Sequence, residues 1–143
     1  MNKLNELREK KLDNKGFSLV ELIIVIAIMA VLIGVLAPQY LRYVEKSRYQ
    51  TDATMIDNVK NAIEIAISSS EDVYTTMVDT TITFSNTALT TVGWTELDAE
   101  VQKTLDLSDT KLTSKTLTAS GATAEIKITA ATGDVDVNLT PAP

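Results

Sequence analysis

Lys15-Gly16-Phe17-Ser18-Leu19-Val20-Glu21, followed by a run from Leu22 to Leu41 without a Lys, Arg, Asp or Glu, decides how this chain is read. At about 1.5 Å of rise per residue, a helix of that length covers roughly 30 Å, the thickness of a bilayer's hydrocarbon core. Ile, Val, Leu and Ala fill nearly every position of the run. Such a helix is apolar on all sides, and it needs lipid or copies of itself around it. One carboxylate, Glu21, stands directly before it.

Upstream, residues 1–16 are polar, with Lys3, Arg8, Lys10, Lys11 and Lys15 set among Glu6, Glu9 and Asp13. A basic flank before a span predicts a cytoplasmic N-terminus. Arg42, Lys46 and Arg48, close behind the span, pull against that orientation. A secretory signal has its small-residue cleavage site behind the apolar stretch, whereas Gly16 lies in front of this one. A cut after Gly16 leaves the span on the mature chain.

With Gly16 before the cut, Phe17 after it, Glu21 four residues beyond Phe17 and a long apolar helix following, the chain resembles a type IV pilin precursor over roughly residues 10–50. The resemblance implies that residues 1–16 are a leader removed by a prepilin peptidase between Gly16 and Phe17, with N-methylation of Phe17. It further implies that residues 17–41 serve first as a transmembrane segment and then as the core of a filament, and that residues 42–143 form a soluble head. Such a chain is a single-pass membrane protein before assembly and part of an extracellular pilus afterwards. Its implied partners are further copies of itself, the peptidase, an inner platform membrane protein and an assembly ATPase. A pseudopilin of a type II secretion or competence DNA-uptake system shares the leader and span, and it is the alternative.

On chemistry alone, Glu21 is a carboxylate that costs a few kcal/mol at the bilayer centre and far less near an interface, where it can snorkel to the headgroups. The resemblance implies a different use, pairing with the Phe17 amine of a neighbouring subunit. A desolvated pair of that kind sets register more than it stabilises. Gly34 and Pro38 interrupt the span near its exit, which predicts either a kink or a local loosening. The resemblance implies a segment that extends or melts in the filament.

From Tyr40 onward the pattern becomes amphipathic. Met55, Val59, Ala62 and Ala66, with Ile56, Ile63 and Ile67 beside them, oppose Asp57, Asn58, Lys60, Asn61 and Glu64. One helix is expected from about residue 17 to 68, ended by Ser68-Ser69-Ser70, hydrophobic in its first half and packed through its second on a small C-terminal antiparallel sheet. Residues 71–95 read as a Thr-rich, irregular loop with a possible short strand at Thr80–Phe84. Thr95-Glu96-Leu97-Asp98 offers a weak N-cap for a helix to about Leu105, with Trp94 packed near its start. Ala124–Thr129 and Asp134–Leu139 alternate as strands, and Lys111–Thr118 is a weaker third, giving an antiparallel meander with turns at Ser120-Gly121 and Thr132-Gly133-Asp134. The fold class is α+β.

The leader carries a net charge of +2 and the remainder −8, an acidic balance that argues against binding nucleic acid. The chain has no Cys and no His, which removes Cys-His and Ser-His-Asp catalysis and thiolate or imidazole metal sites. No enzymatic activity, cofactor or metal is expected, and a single-span enzyme or anchored binding protein has little support. Asp134 and Asp136 invite a calcium reading, but alternating carboxylates on an outward strand face are ordinarily solvated. Many pilins staple the C-terminal region with a disulfide. Here sheet pairing and packing alone are expected to hold it. Tyr40, Tyr43 and Tyr49 read first as aromatics of a membrane boundary, second as stacking groups between subunits and, a distant third, as a path for long-range electron transfer.

Overall fold

The computed structural model describes residues 16–143, so the leader expected over residues 1–16 lies, apart from Gly16, outside the described residues. The elements in order are helix α1 (Leu19–Ser69), helix α2 (Glu71–Thr75), strand β1 (Thr80–Thr83) and helix α3 (Thr95–Thr104). A 3-10 turn (Leu107–Asp109), helix α4 (Lys115–Thr118), strand β2 (Thr123–Thr129) and strand β3 (Asp134–Thr140) complete them. This is the expected α+β layout, a long N-terminal helix followed by a small antiparallel sheet. α1 remains helical through Pro38. The chain divides within α1, between Tyr40 and Leu41, into two compact units.

In the first unit, the large apolar side chains from Leu19 to Leu36 are all exposed, from 48% at Val25 to 72% at Leu19. α1 is also, among the described residues, the one helix long and apolar enough to cross a membrane. No face of it is set aside for water.

In the second unit, α1 buries a stripe. Ile56, Val59, Ala62, Ile63 and Ala66 are buried, while Asp57, Asn58, Asn61 and Glu64 stay exposed, which is the one-sided pattern of a helix on a core. The sheet order is β1-β2-β3, with Ile82 opposite Ile126, Ile126 opposite Val137 and Ile128 opposite Val135. Ala124, Ile126 and Ile128 alternate to one face and join the α1 stripe in a single core with Leu97, Val101, Leu107, Leu112 and Leu117. Gly133, at φ +72°, makes the β2–β3 turn, and its amide donates to the Thr129 carbonyl at 2.8 Å.

Three expectations need correction. Lys111–Thr118 is not a strand, and the third strand is Thr80–Thr83 on the other edge of β2. Leu112 and Leu117 are both buried although five residues apart. In extended chain they would face opposite sides, and the helical turn of α4 between them lets both reach the core. Secondly, residues 71–95 are not irregular throughout, because Ser70 caps α2 by accepting from the Val73 amide at 3.5 Å. Thirdly, Thr95 does not cap α3. Trp94 occupies the cap position without a side-chain hydrogen bond, and the Asp98 carboxylate accepts from the Val92 amide instead. Trp94 does pack against the core, as expected.

Gly93 sits at φ +145°, and a Cβ there would lie 2.9 Å from Cγ2 of Thr80. Gly93→Ala therefore combines backbone strain with a clash against β1 and should lower stability by about 1–3 kcal/mol. Ile126→Ala should cost about 2–5 kcal/mol, because the vacated space faces packed side chains on both α1 and the sheet. Denaturant unfolding of the intact chain, followed by Trp94 fluorescence, measures both.

Candidate functional site

Gly16, Phe17 and Ser18 precede α1 without regular structure, and Phe17 is 87% exposed. The Gly16–Phe17 peptide bond is thus clear of helical hydrogen bonding, and nothing among the described residues lies within 4 Å of a Cβ built on Gly16. A bond in that setting can enter the extended cleft of a protease without unwinding a helix.

Ser18 and Glu21 are joined at the start of α1. The Ser18 amide donates to Oε2 of Glu21 at 2.8 Å, the Val20 amide donates to Oγ of Ser18 at 3.3 Å, and the Leu22 amide reaches the Ser18 carbonyl at 3.1 Å. This is a reciprocal capping box, in which two side chains satisfy amides that the first turn leaves without partners. The negative charge of Glu21 also lies at the positive end of the helix dipole. Ser18 did not stand out in the sequence reading, although Ser followed three residues later by Glu, ahead of an apolar run, is the ordinary signature of such a cap.

Gly34 and Pro38 both lie within α1, whose helical course is unbroken at either residue. The tyrosines do not behave as one set. Tyr40 and Tyr43 are exposed, while Tyr49 is half-buried against the core.

Two further carboxylates of α1 form a site that the sequence reading passed over. Asp52 is only 2% exposed. Its oxygens accept from the Thr113 amide at 3.0 Å, the Thr113 hydroxyl at 2.9 Å and the Ser114 amide at 2.7 Å. Glu45 accepts from the amide and hydroxyl of Thr116 at 2.7 and 2.9 Å. Thr116 in turn accepts through its carbonyl from the Ala142 amide at 3.1 Å. Sheet pairing and packing are therefore not alone in holding the C-terminal region, because α1 also clamps residues 113–116 with carboxylates. The signal was the position of the two acids. Glu45, Tyr49, Asp52, Ile56, Val59, Ile63 and Ala66 recur at alternating spacings of four and three, so both acids stand on the buried stripe.

Loss of solvent pushes the Glu45 carboxyl up. The amide and hydroxyl of Thr116, the amide of Lys115 and the positive charge of Arg48 together outweigh that and hold it below its ordinary value. The pKa is depressed in the folded state, so the stabilisation is complete above the ordinary carboxylate range and is lost as pH falls through the lowered value.

A family model described as the prokaryotic N-terminal methylation motif matches residues 11–37. The chain carries the N-terminal methylation motif of prokaryotic prepilins. The prepilin motif takes in Gly16, Phe17, Ser18 and Glu21 together with most of the apolar run. The chain is also 27% identical over 100 residues to a fimbrial protein of Pseudomonas aeruginosa, a match covering 68% of this chain. It spans 61% of that relative's length. Motif and relative together support the pilin and pseudopilin class. No solved structure matches at a significant level.

Asp52→Ala should destabilise the head by about 1–3 kcal/mol, because it leaves the buried Ser114 amide and the part-buried Thr113 amide without their acceptor. Glu45→Gln keeps one acceptor for Thr116 but removes the titration. Unfolding midpoints measured from neutral pH down to about pH 3 should fall less steeply for Glu45→Gln than for the wild type.

Proposed function

We propose that this chain is a structural subunit of a type IV pilus, stored in the membrane as a prepilin and polymerised through α1 into an extracellular filament. In this reading a prepilin peptidase cuts between Gly16 and Phe17 and the new Phe17 amine is methylated. Residues 17–41 form the membrane segment and later the filament core, and residues 42–143 form the exposed head. A platform membrane protein and an assembly ATPase supply the work of extraction, since the chain has no phosphate-binding loop of its own. The observation that carries the reading is the prepilin motif over residues 11–37, ending in a helix that is apolar all round. The fimbrial relative favours the pilus over the pseudopilin.

The chemistry follows from Glu21. Before cleavage its carboxylate is satisfied by an amide of its own chain, which lowers the cost of carrying it near the hydrocarbon. Cleavage converts the neutral Phe17 amide nitrogen into an amine with an ordinary pKa of about 8, positively charged at neutral pH, and methylation retains that charge. The Ser18 amide held by Glu21 is one residue from that nitrogen. A cationic amine from a neighbouring copy is a stronger partner for the carboxylate than a neutral amide. Lateral packing of further copies then supplies Gly34 and Pro38 with the neighbours that decide whether that part of α1 loosens.

Mass spectrometry of the protein recovered from cells should place the mature N-terminus at a methylated Phe17, and a mature chain beginning at Met1 would overturn the proposal. Glu21→Ala should still be cleaved but should assemble poorly. Leaving the amine desolvated without its partner costs about 3–5 kcal/mol per contact, which raises the subunit concentration needed for filaments by roughly a hundredfold or more. Counting filaments by electron microscopy checks this, and unchanged number and length would remove Glu21 from the assembly role.

A further inference from the structure

We propose that a groove formed by residues 41–49 of α1, with α4 and Pro141, holds the headgroup of an anionic phospholipid while the chain resides in the membrane. The groove has a volume of about 690 Å³, within the usual range for a small-molecule site. Leu41, Val44, Tyr49 and Pro141 are its apolar lining. Arg42, Lys46, Arg48 and Lys115, all exposed, line it with positive charge. Its one carboxylate, Glu45, is already bonded to Thr116, and the lining as a whole carries a net charge of +3.

Three observations favour this occupant. Leu41 is the last residue of the uncharged run, and Arg42, Lys46 and Arg48 follow within roughly 10 Å of helix rise, the depth at which hydrocarbon gives way to phosphates. The charge of the second unit is also unevenly distributed. Its remaining cations are Lys60, Lys103, Lys111 and Lys127, set against fourteen carboxylates, so an anionic membrane repels the rest of the head and attracts it here. Finally, a phospholipid brings a phosphate and acyl carbons on one molecule, matching a lining that carries both cations and apolar side chains. The acidic surface of a second copy would satisfy the cations and leave the apolar lining without a partner.

The inference rests on the membrane-stored form proposed above. The intact chain is placed in nanodiscs of equal phosphatidylglycerol and phosphatidylcholine, released into neutral detergent, and examined by native mass spectrometry. The wild type should retain phosphatidylglycerol in preference. Arg42→Gln, Lys46→Gln and Lys115→Gln combined should lower that preference by roughly a hundredfold, at about fivefold per charge, and K115Q alone by about fivefold. K111Q, a cation away from the groove, should leave it unchanged. Unfolding midpoints confirm that the variants fold, and K115Q, which leaves α1 untouched, carries the test if the triple variant does not. Equal retention of the two lipids by the wild type overturns the proposal, as does an equal loss in K111Q. It is also overturned, in favour of a second copy, if the groove variants keep their lipid preference but lose chain-to-chain crosslinking. Failure to enter nanodiscs sinks the membrane reading of α1 and this site with it, whereas insertion without headgroup preference sinks the site alone.

Discussion

The constraint on which everything else depends is that the first part of α1 has no side to offer to water. Fourteen large apolar residues between Leu19 and Leu36 are each about half exposed or more. Removing each from water is worth about 1.5–3 kcal/mol when complete, so the segment as a whole gains tens of kcal/mol from any apolar surrounding. Among the described residues, no other part of the chain meets that need for an apolar environment. Lipid meets it, and so does a bundle of identical segments. Because the two environments are similarly apolar, moving from one to the other is nearly balanced in hydrophobic terms, and the few polar groups on the segment decide the direction.

Three of the acids of α1 are used in the same way. Glu21 accepts from the Ser18 amide, Asp52 from the amides of Thr113 and Ser114, and Glu45 from that of Thr116. Each carboxylate thus serves as an acceptor for backbone that secondary structure has left unpaired. Glu21 does this for its own helix. Asp52 and Glu45 do it for a turn of chain more than sixty residues away in sequence, linking the C-terminal region to α1 in a chain without cysteine. A disulfide would have stabilised that link mainly by restricting the unfolded chain. The carboxylates act only in the folded state, and the hold of Glu45 is lost as pH falls through its lowered value.

The long elements were legible because their periodicities are strong. The uncharged run, the Ile56 to Ala66 stripe and the alternation of Ala124–Thr129 and Asp134–Thr140 each repeat often enough to identify an element and its buried face. The misreadings fell on short segments governed by tertiary hydrogen bonds. At Lys111–Thr118, the spacing of Leu112 and Leu117 already counted against a strand. What replaces it depends on Asp52 and Glu45, which no local pattern around residue 115 reveals. At Thr95, the local cap motif lost to a tertiary bond, since Asp98 serves Val92 instead. At the proposed processing site, Gly16, Phe17 and Glu21 were visible as a motif, but the role of Ser18 follows from the geometry of the helix terminus.

The capping box also bears on the proposed order of events at that site. In the proposed pathway the nitrogen of Phe17 is, before cleavage, a neutral amide with no charge advantage over that of Ser18, and the carboxylate stays with Ser18. A segment with its acid so occupied offers no new cation at residue 17 to another copy's carboxylate, and lipid is an adequate solvent for it. A cut after Gly16 would give each chain a new cation beside a carboxylate, and those two charges could be satisfied between neighbours rather than within one helix. The pairing is strong only where water is excluded, which is the condition that surrounding copies of the apolar run create. In the proposed pathway, cleavage thus converts a capped helix in lipid into a subunit whose polar groups are best served by others of its kind.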